Sequence, residues 1–66
     1  MSGTERENWL INIENTASFI SSEIGNETVK TTLSKYGARS FEQIATSDLS
    51  DVFSELFAIE ADLRSG

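Results

Sequence analysis

Apolar side chains recur along this chain with the period of an α-helix in two long stretches and one short one. In the first stretch Trp9, Leu10, Ile13, Ala17, Ile20 and Ile24 fall within about 100° of arc when each residue advances 100°. That spacing predicts a helix over residues 5–24. Thr4 stands where an N-cap is needed and Glu7 lies three residues on, a capping-box pattern, with Glu5 and Glu7 placing negative charge at the positive end of the helix dipole. Asn8, Asn12, Asn15, Ser18, Ser21 and Ser22 are mediocre helix formers. Packing, not propensity, must therefore hold this helix.

The second stretch places Val29, Leu33 and Tyr36 at i, i+4 and i+7, which predicts a short helix over residues 27–36 with Asn26 as its N-cap. Thr28, Val29, Thr31 and Thr32 are β-branched and compete for a strand. The asparagine before them and the glycine after them decide for helix. Ser40 and Gln43 repeat the capping-box spacing and open a further turn, from which Phe41 and Ile44 point inward. The last helix is expected to begin after Ser47 and to run to residue 64, with Leu49, Val52, Phe53, Leu56, Ile59 and Leu63 on one face. Proline is absent, so glycine has to end the helices, and Gly25 and Gly37 are expected just past two helix ends.

The fold class that follows is all-α: a three-helix bundle, with residues 41–45 as an optional fourth helical turn. Links of two to four residues would make sequential helices pack against one another. Sixty-six residues make one domain, residues 1–66, and a chain so short buries only about 60% of the surface it exposes when unfolded. Small folds usually add a disulfide, a metal or a partner. Cysteine and histidine are both missing, which removes the disulfide and the commonest metal ligands. A compact core, a protein partner or a homodimer is left, and no cofactor is expected.

The same absences argue against an enzyme, since general acid–base work most often uses histidine and a serine nucleophile needs a base beside it. Lys30 and Lys35 have no deep pocket in so small a body to lower their pKa. No phosphate loop or calcium-loop spacing occurs, and no small-molecule substrate is evident. Asn26-Glu27-Thr28 matches the glycosylation acceptor pattern but reads as a helix cap in a chain without a secretory start. Eleven acidic against five basic side chains give a net charge of −6, the wrong sign for direct nucleic-acid binding. No apolar run is long enough for a membrane span. A cytoplasmic, protein-binding chain is the expectation.

Candidate binding residues are the large apolar side chains off the core arcs. Ile11 and Phe19 lie roughly 130–150° from the centre of the first apolar face, and Phe57 lies at the edge of the last one. Trp9, the only tryptophan, is either a core anchor or an interface hot spot. Ile11, Phe19, Phe57 and Trp9 are thus the candidate partner surface, set against scattered exposure or a broader core. Glu60 falls inside the apolar face of the last helix. Either the helix has run past the core there, with Arg64 one turn on to cover it, or Glu60 forms a buried pair with Lys30, Arg39 or Arg64 that fixes helix register. Asp48, Asp51, Glu55 and Asp62 share about 60° of arc opposite the apolar face. They read as a solvated face, or alternatively as an acidic phosphate mimic with which the chain would regulate or inhibit nucleic-acid-binding machinery.

The run Lys35-Tyr36-Gly37-Ala38-Arg39-Ser40-Phe41-Glu42-Gln43-Ile44, followed by residues 49–63, resembles small uncharacterised proteins of Gram-positive gut bacteria, some on mobile elements. That likeness spans most of the chain from Trp9 to Arg64. The last thirty residues or so also resemble the helical tails of phage recombination proteins, in which a Tyr-Gly-x-x-Ser turn joins two short helices. These resemblances imply a bacterial cytosolic helical module and bring no catalytic motif.

Overall fold

The computed structural model of the chain describes residues 4–66. Three α-helices form it: α1 over Glu5–Ile24, α2 over Glu27–Lys35 and α3 over Leu49–Ser65, with 3-10 turns at Phe41–Gln43 and Thr46–Asp48 between the last two. No strand occurs among the described residues. The all-α three-helix bundle is therefore the fold.

Local chemistry sets the helix ends. At the start of α1 the Glu7 N–H donates to Thr4 Oγ1 at 3.1 Å and the Thr4 N–H donates to Glu7 Oε1 at 2.9 Å, so the capping box closes in both directions. α1 ends on Gly25, which is the C-cap itself, not the residue beyond it as expected, with φ +88°. Asn26 caps α2 immediately afterwards, without a side-chain hydrogen bond. α2 stops one residue short of expectation, at Lys35. The Gly37 N–H donates to the Ser34 carbonyl and the Ala38 N–H to the Leu33 carbonyl, both at 3.0 Å. With Gly37 at φ +73°, these two bonds complete a Schellman motif, and buried Ala38 packs beside buried Leu33.

The second expected box, at Ser40 and Gln43, does not form, and the cap expected at Ser47 falls elsewhere. Ser40 makes no side-chain cap bond: the Gln43 N–H donates to the Ser40 carbonyl at 3.1 Å, and Gln43 Oε1 accepts from the Arg39 N–H, at 2.9 Å, one residue further back than the box requires. At α3 the cap position falls to Asp48, not Ser47, and carries no side-chain cap bond. The 3-10 turn over Thr46–Asp48 winds straight into the helix, so the preceding turn already supplies backbone partners.

α1 and α3 are parallel. Trp9 packs on Phe53, Thr16 bonds to Glu60 and Phe19 lies under Arg64, pairings that hold an offset of 44 or 45 residues from one end to the other. α2, tied to α1 by a two-residue link, runs back beside them. The link from α2 to α3 is longer than expected. Residues 36–48 continue the descent to the foot of α1, where Arg6 Nη2 donates to the Glu42 carbonyl at 2.8 Å and Nη1 to Thr46 Oγ1 at 3.2 Å. Because that link lets α3 return to the starting end, α1 and α3 share the most extensive contact of the bundle.

The core sits between the three helices and the return segment. Ile13 and Ile20 from α1, Ile44 from the return, and Leu49, Val52 and Leu56 from α3 are each under 2% exposed. Ile24, expected on the core arc, is 51% exposed. The offset that pairs Thr16 with Glu60 would set Ile24 opposite a position beyond Ser65, the last helical residue, so nothing on α3 covers it. Among the described residues no helix is long and apolar enough to cross a membrane.

Candidate interaction surface

Side by side, α1 and α3 carry a row of aromatic rings. The Trp9 and Phe53 rings meet edge to face at 5.8 Å between centroids, and Phe53 stacks on Phe57 at 5.5 Å with the planes 21° apart. Such pairs add about 0.5–1.5 kcal/mol beyond the area they bury. Trp9 and Phe53 are half-buried, whereas Phe57 remains 52% exposed. Two of the sequence candidates, Trp9 and Phe57, thus come together through Phe53, which the apolar spacing places on the core face alone.

Two turns further along the same pair of helices, Phe19 is half-buried. The Arg64 guanidinium carbon lies 4.2 Å from its ring centroid, a cation–π contact. Arg64 Nε also donates to Glu60 Oε2 at 2.7 Å, and Glu60 Oε1 accepts from the hydroxyl of buried Thr16 at 2.5 Å. Glu60 is therefore a shielded member of an inter-helix network, its side chain 14% exposed, and Arg64 is the partner among the three cations considered. The Thr16 hydroxyl, followed by Arg64, holds its carboxyl below the usual carboxylate range. Sequence reading missed Thr16, although its place three residues after Ile13 and four before Ile20 puts it on the buried arc.

Ile11 joins neither group. It is 55% exposed and sits on the far side of α1 from Ile13, since two residues turn a helix by about 200°.

The acidic row divides. Glu55 does not stand opposite the core. It lies one turn before half-buried Ile59 and shares with it the groove between α2 and α3. There it accepts from Lys35 Nζ at 2.5 Å and from the Tyr36 hydroxyl. The Lys35 ammonium, then the Tyr36 hydroxyl, hold its carboxyl low. The Tyr36 phenol in turn is pushed up to about 12, first by its bond to Glu55 and next by partial desolvation, with Asp51 and Asp48 adding repulsion. Asp51 and Asp62 are exposed and Asp48 is half-exposed. One of the four charges is thus spent on an internal ion pair. No group of three or more potential metal ligands occurs among the described residues.

Comparison with protein-family models, curated proteins and solved structures finds no match.

Proposed function

We propose that this chain is a small acidic protein-interaction module whose contact face is the aromatic row Trp9, Phe53 and Phe57, and that the partner there is a second copy of the chain. The observation that carries this reading is Phe57, stacked on Phe53 yet 52% exposed, in a domain whose other aromatic rings are at least half covered. Its helical neighbours at three and four residues are Phe53, Ser54, Glu60 and Ala61. The one carboxylate among them is already bound by Thr16 and Arg64. The Phe53–Phe57 end of the row is thus an apolar face without free charge among its helical neighbours, in a chain of net charge −6.

That combination favours self-association. Two copies repel over most of their acidic surface, and the repulsion is weakest where the face is neutral. A two-fold arrangement would set the row against itself, with Phe57 near the axis. α1 and α3 are about 30 and 25 Å long at 1.5 Å per residue, so a face two helices wide falls below the roughly 800 Å² per partner of standard interfaces. Association is therefore weak and concentration-dependent.

Sedimentation equilibrium of the intact chain tests it, with Phe57→Ser and Ile11→Ser as a matched pair of exposed apolar deletions. Self-association that Phe57→Ser abolishes and Ile11→Ser leaves intact supports the row. A wild-type chain that stays monomeric at millimolar concentration overturns the reading, as does equal loss in both variants.

A further inference from the structure

The five basic side chains of this protein are not used alike. Arg6 is bonded to the return segment, Lys35 to Glu55 and Arg64 to Glu60. Lys30 and Arg39 have no side-chain partner among the described residues, although acidic residues outnumber basic ones by more than two to one. Both line one concave surface where α1, α2 and the return segment meet. Its larger lobe, a cleft of about 320 Å³, has Val29, Leu33 and Phe41 for an apolar floor and the serines at 21 and 40 on its wall. No acidic residue lines either lobe. The groove between α2 and α3, by contrast, includes Glu27 and Glu55.

We propose that this cleft is a binding site for a carboxylate carried on an apolar body, with Lys30 and Arg39 holding the anion and Val29, Leu33 and Phe41 receiving the apolar part. Arginine offers a planar fork that matches a carboxylate and lysine a point charge beside it. The two cations flank an apolar floor, so an anion without an apolar group forgoes half of the site. The volume lies at the small end of ligand pockets, which run from about 300 to 1,000 Å³. It fits a small aryl or alkyl acid, or the last residue of a polypeptide with its free carboxyl group, and not a helix or a folded domain. The site shares no residue with the aromatic row and does not depend on it.

Fold disturbance is a minor concern for the test. Lys30 and Arg39 are exposed, and the bonds made by their N–H groups, to the Asn26 carbonyl and Gln43 Oε1, survive a change of side chain. Titration of the full chain, followed by amide chemical shifts, would use 4-phenylbutanoate, its amide, inorganic phosphate, and a short peptide ending in leucine with either a free or an amidated terminus. The expected result is saturable shifts at Val29, Leu33, Arg39 and Phe41 with the carboxylates, and weak or no shifts with the amides and phosphate. Lys30→Gln and Arg39→Gln should each weaken carboxylate binding about tenfold or more, as loss of a charge-assisted contact does. Tighter binding of the peptide acid or of phenylbutanoate identifies which source the site takes. Equal binding of acid and amide, binding of phosphate as tight as that of phenylbutanoate, indifference to both variants, or no saturation in the millimolar range would each overturn the proposal.

Discussion

The hydroxyl of Thr16 on α1 donates to the carboxylate of Glu60 on α3 across 44 residues of chain, and this bond marks the register of two parallel helices. The donor is buried, at 3% exposure. Arg64 closes the other side of the carboxylate and lays its guanidinium over Phe19, back on α1. A carboxylate in the middle of an apolar stripe thereby becomes a link between the helices, with each partner placed by the 3.6-residue turn.

The first prediction concerns acid. Glu60 has a carboxyl pKa lowered in the folded state. Its contribution to stability is therefore fully present above the unfolded value of about 4.3 and is lost as pH falls through the lower folded value. Glu55 has the same sign. The urea midpoint should fall once the pH drops below about 4.3, and part of that fall should be missing in Glu60→Gln, which has no charge to lose. Thr16→Val should lower the midpoint at pH 7. An unchanged pH profile in Glu60→Gln would show that the network adds nothing.

Tyr36 supplies a spectroscopic counterpart, because it is the only tyrosine. Its folded pKa of about 12 exceeds the unfolded value of about 10. The stability linked to it is therefore complete below pH 10 and is lost as pH rises from there through 12. Alkaline titration at 295 nm should give a midpoint near 12 in the native chain. Glu55→Gln, which removes the acceptor charge, should move that midpoint down toward 10. A native midpoint at the ordinary phenol value would contradict the Tyr36–Glu55 bond.

The two helix starts should respond differently to the same change. Thr4→Ala breaks a closed capping box and should cost about 0.5–2 kcal/mol in chemical denaturation. Ser47→Ala removes no cap, since Asp48 holds that position without a side-chain bond, and should stay within about 0.5 kcal/mol. Equal losses would place the start of α3 one residue earlier.

Ile20 and Ile24 share a helix face but not an environment, being 0% and 51% exposed. Ile20→Ala should cost about 2–5 kcal/mol, enough to unfold a domain of this size when total stability is only about 5 kcal/mol. Thermal melts of the two variants check this, and Ile24→Ala should be close to neutral.

The sequence alone determined the helices. Their period, the Thr4–Glu7 box and the two turn-forming glycines are local properties, and α1 has the bounds that its apolar spacing predicts. The identity of most core residues followed too, since a side chain on the buried arc has nowhere else to go. What the tertiary structure decided is everything that depends on register between distant segments. Ile24 reads as core by angle, yet it overhangs the last turn of α3. Glu55 reads as part of a solvated stripe, yet it faces Lys35 and Tyr36 at the end of α2. Thr16 is unremarkable by type, and only the parallel return of α3 brings a carboxylate to it. Trp9 and Phe57 are candidates from separate ends of the chain that become neighbours through Phe53. The physical reason is common to all four: helical periodicity fixes which way a side chain points, whereas its partner is fixed by how far one helix slides along another. That sliding is set by the long return segment and by Arg6, which straps it to the foot of α1.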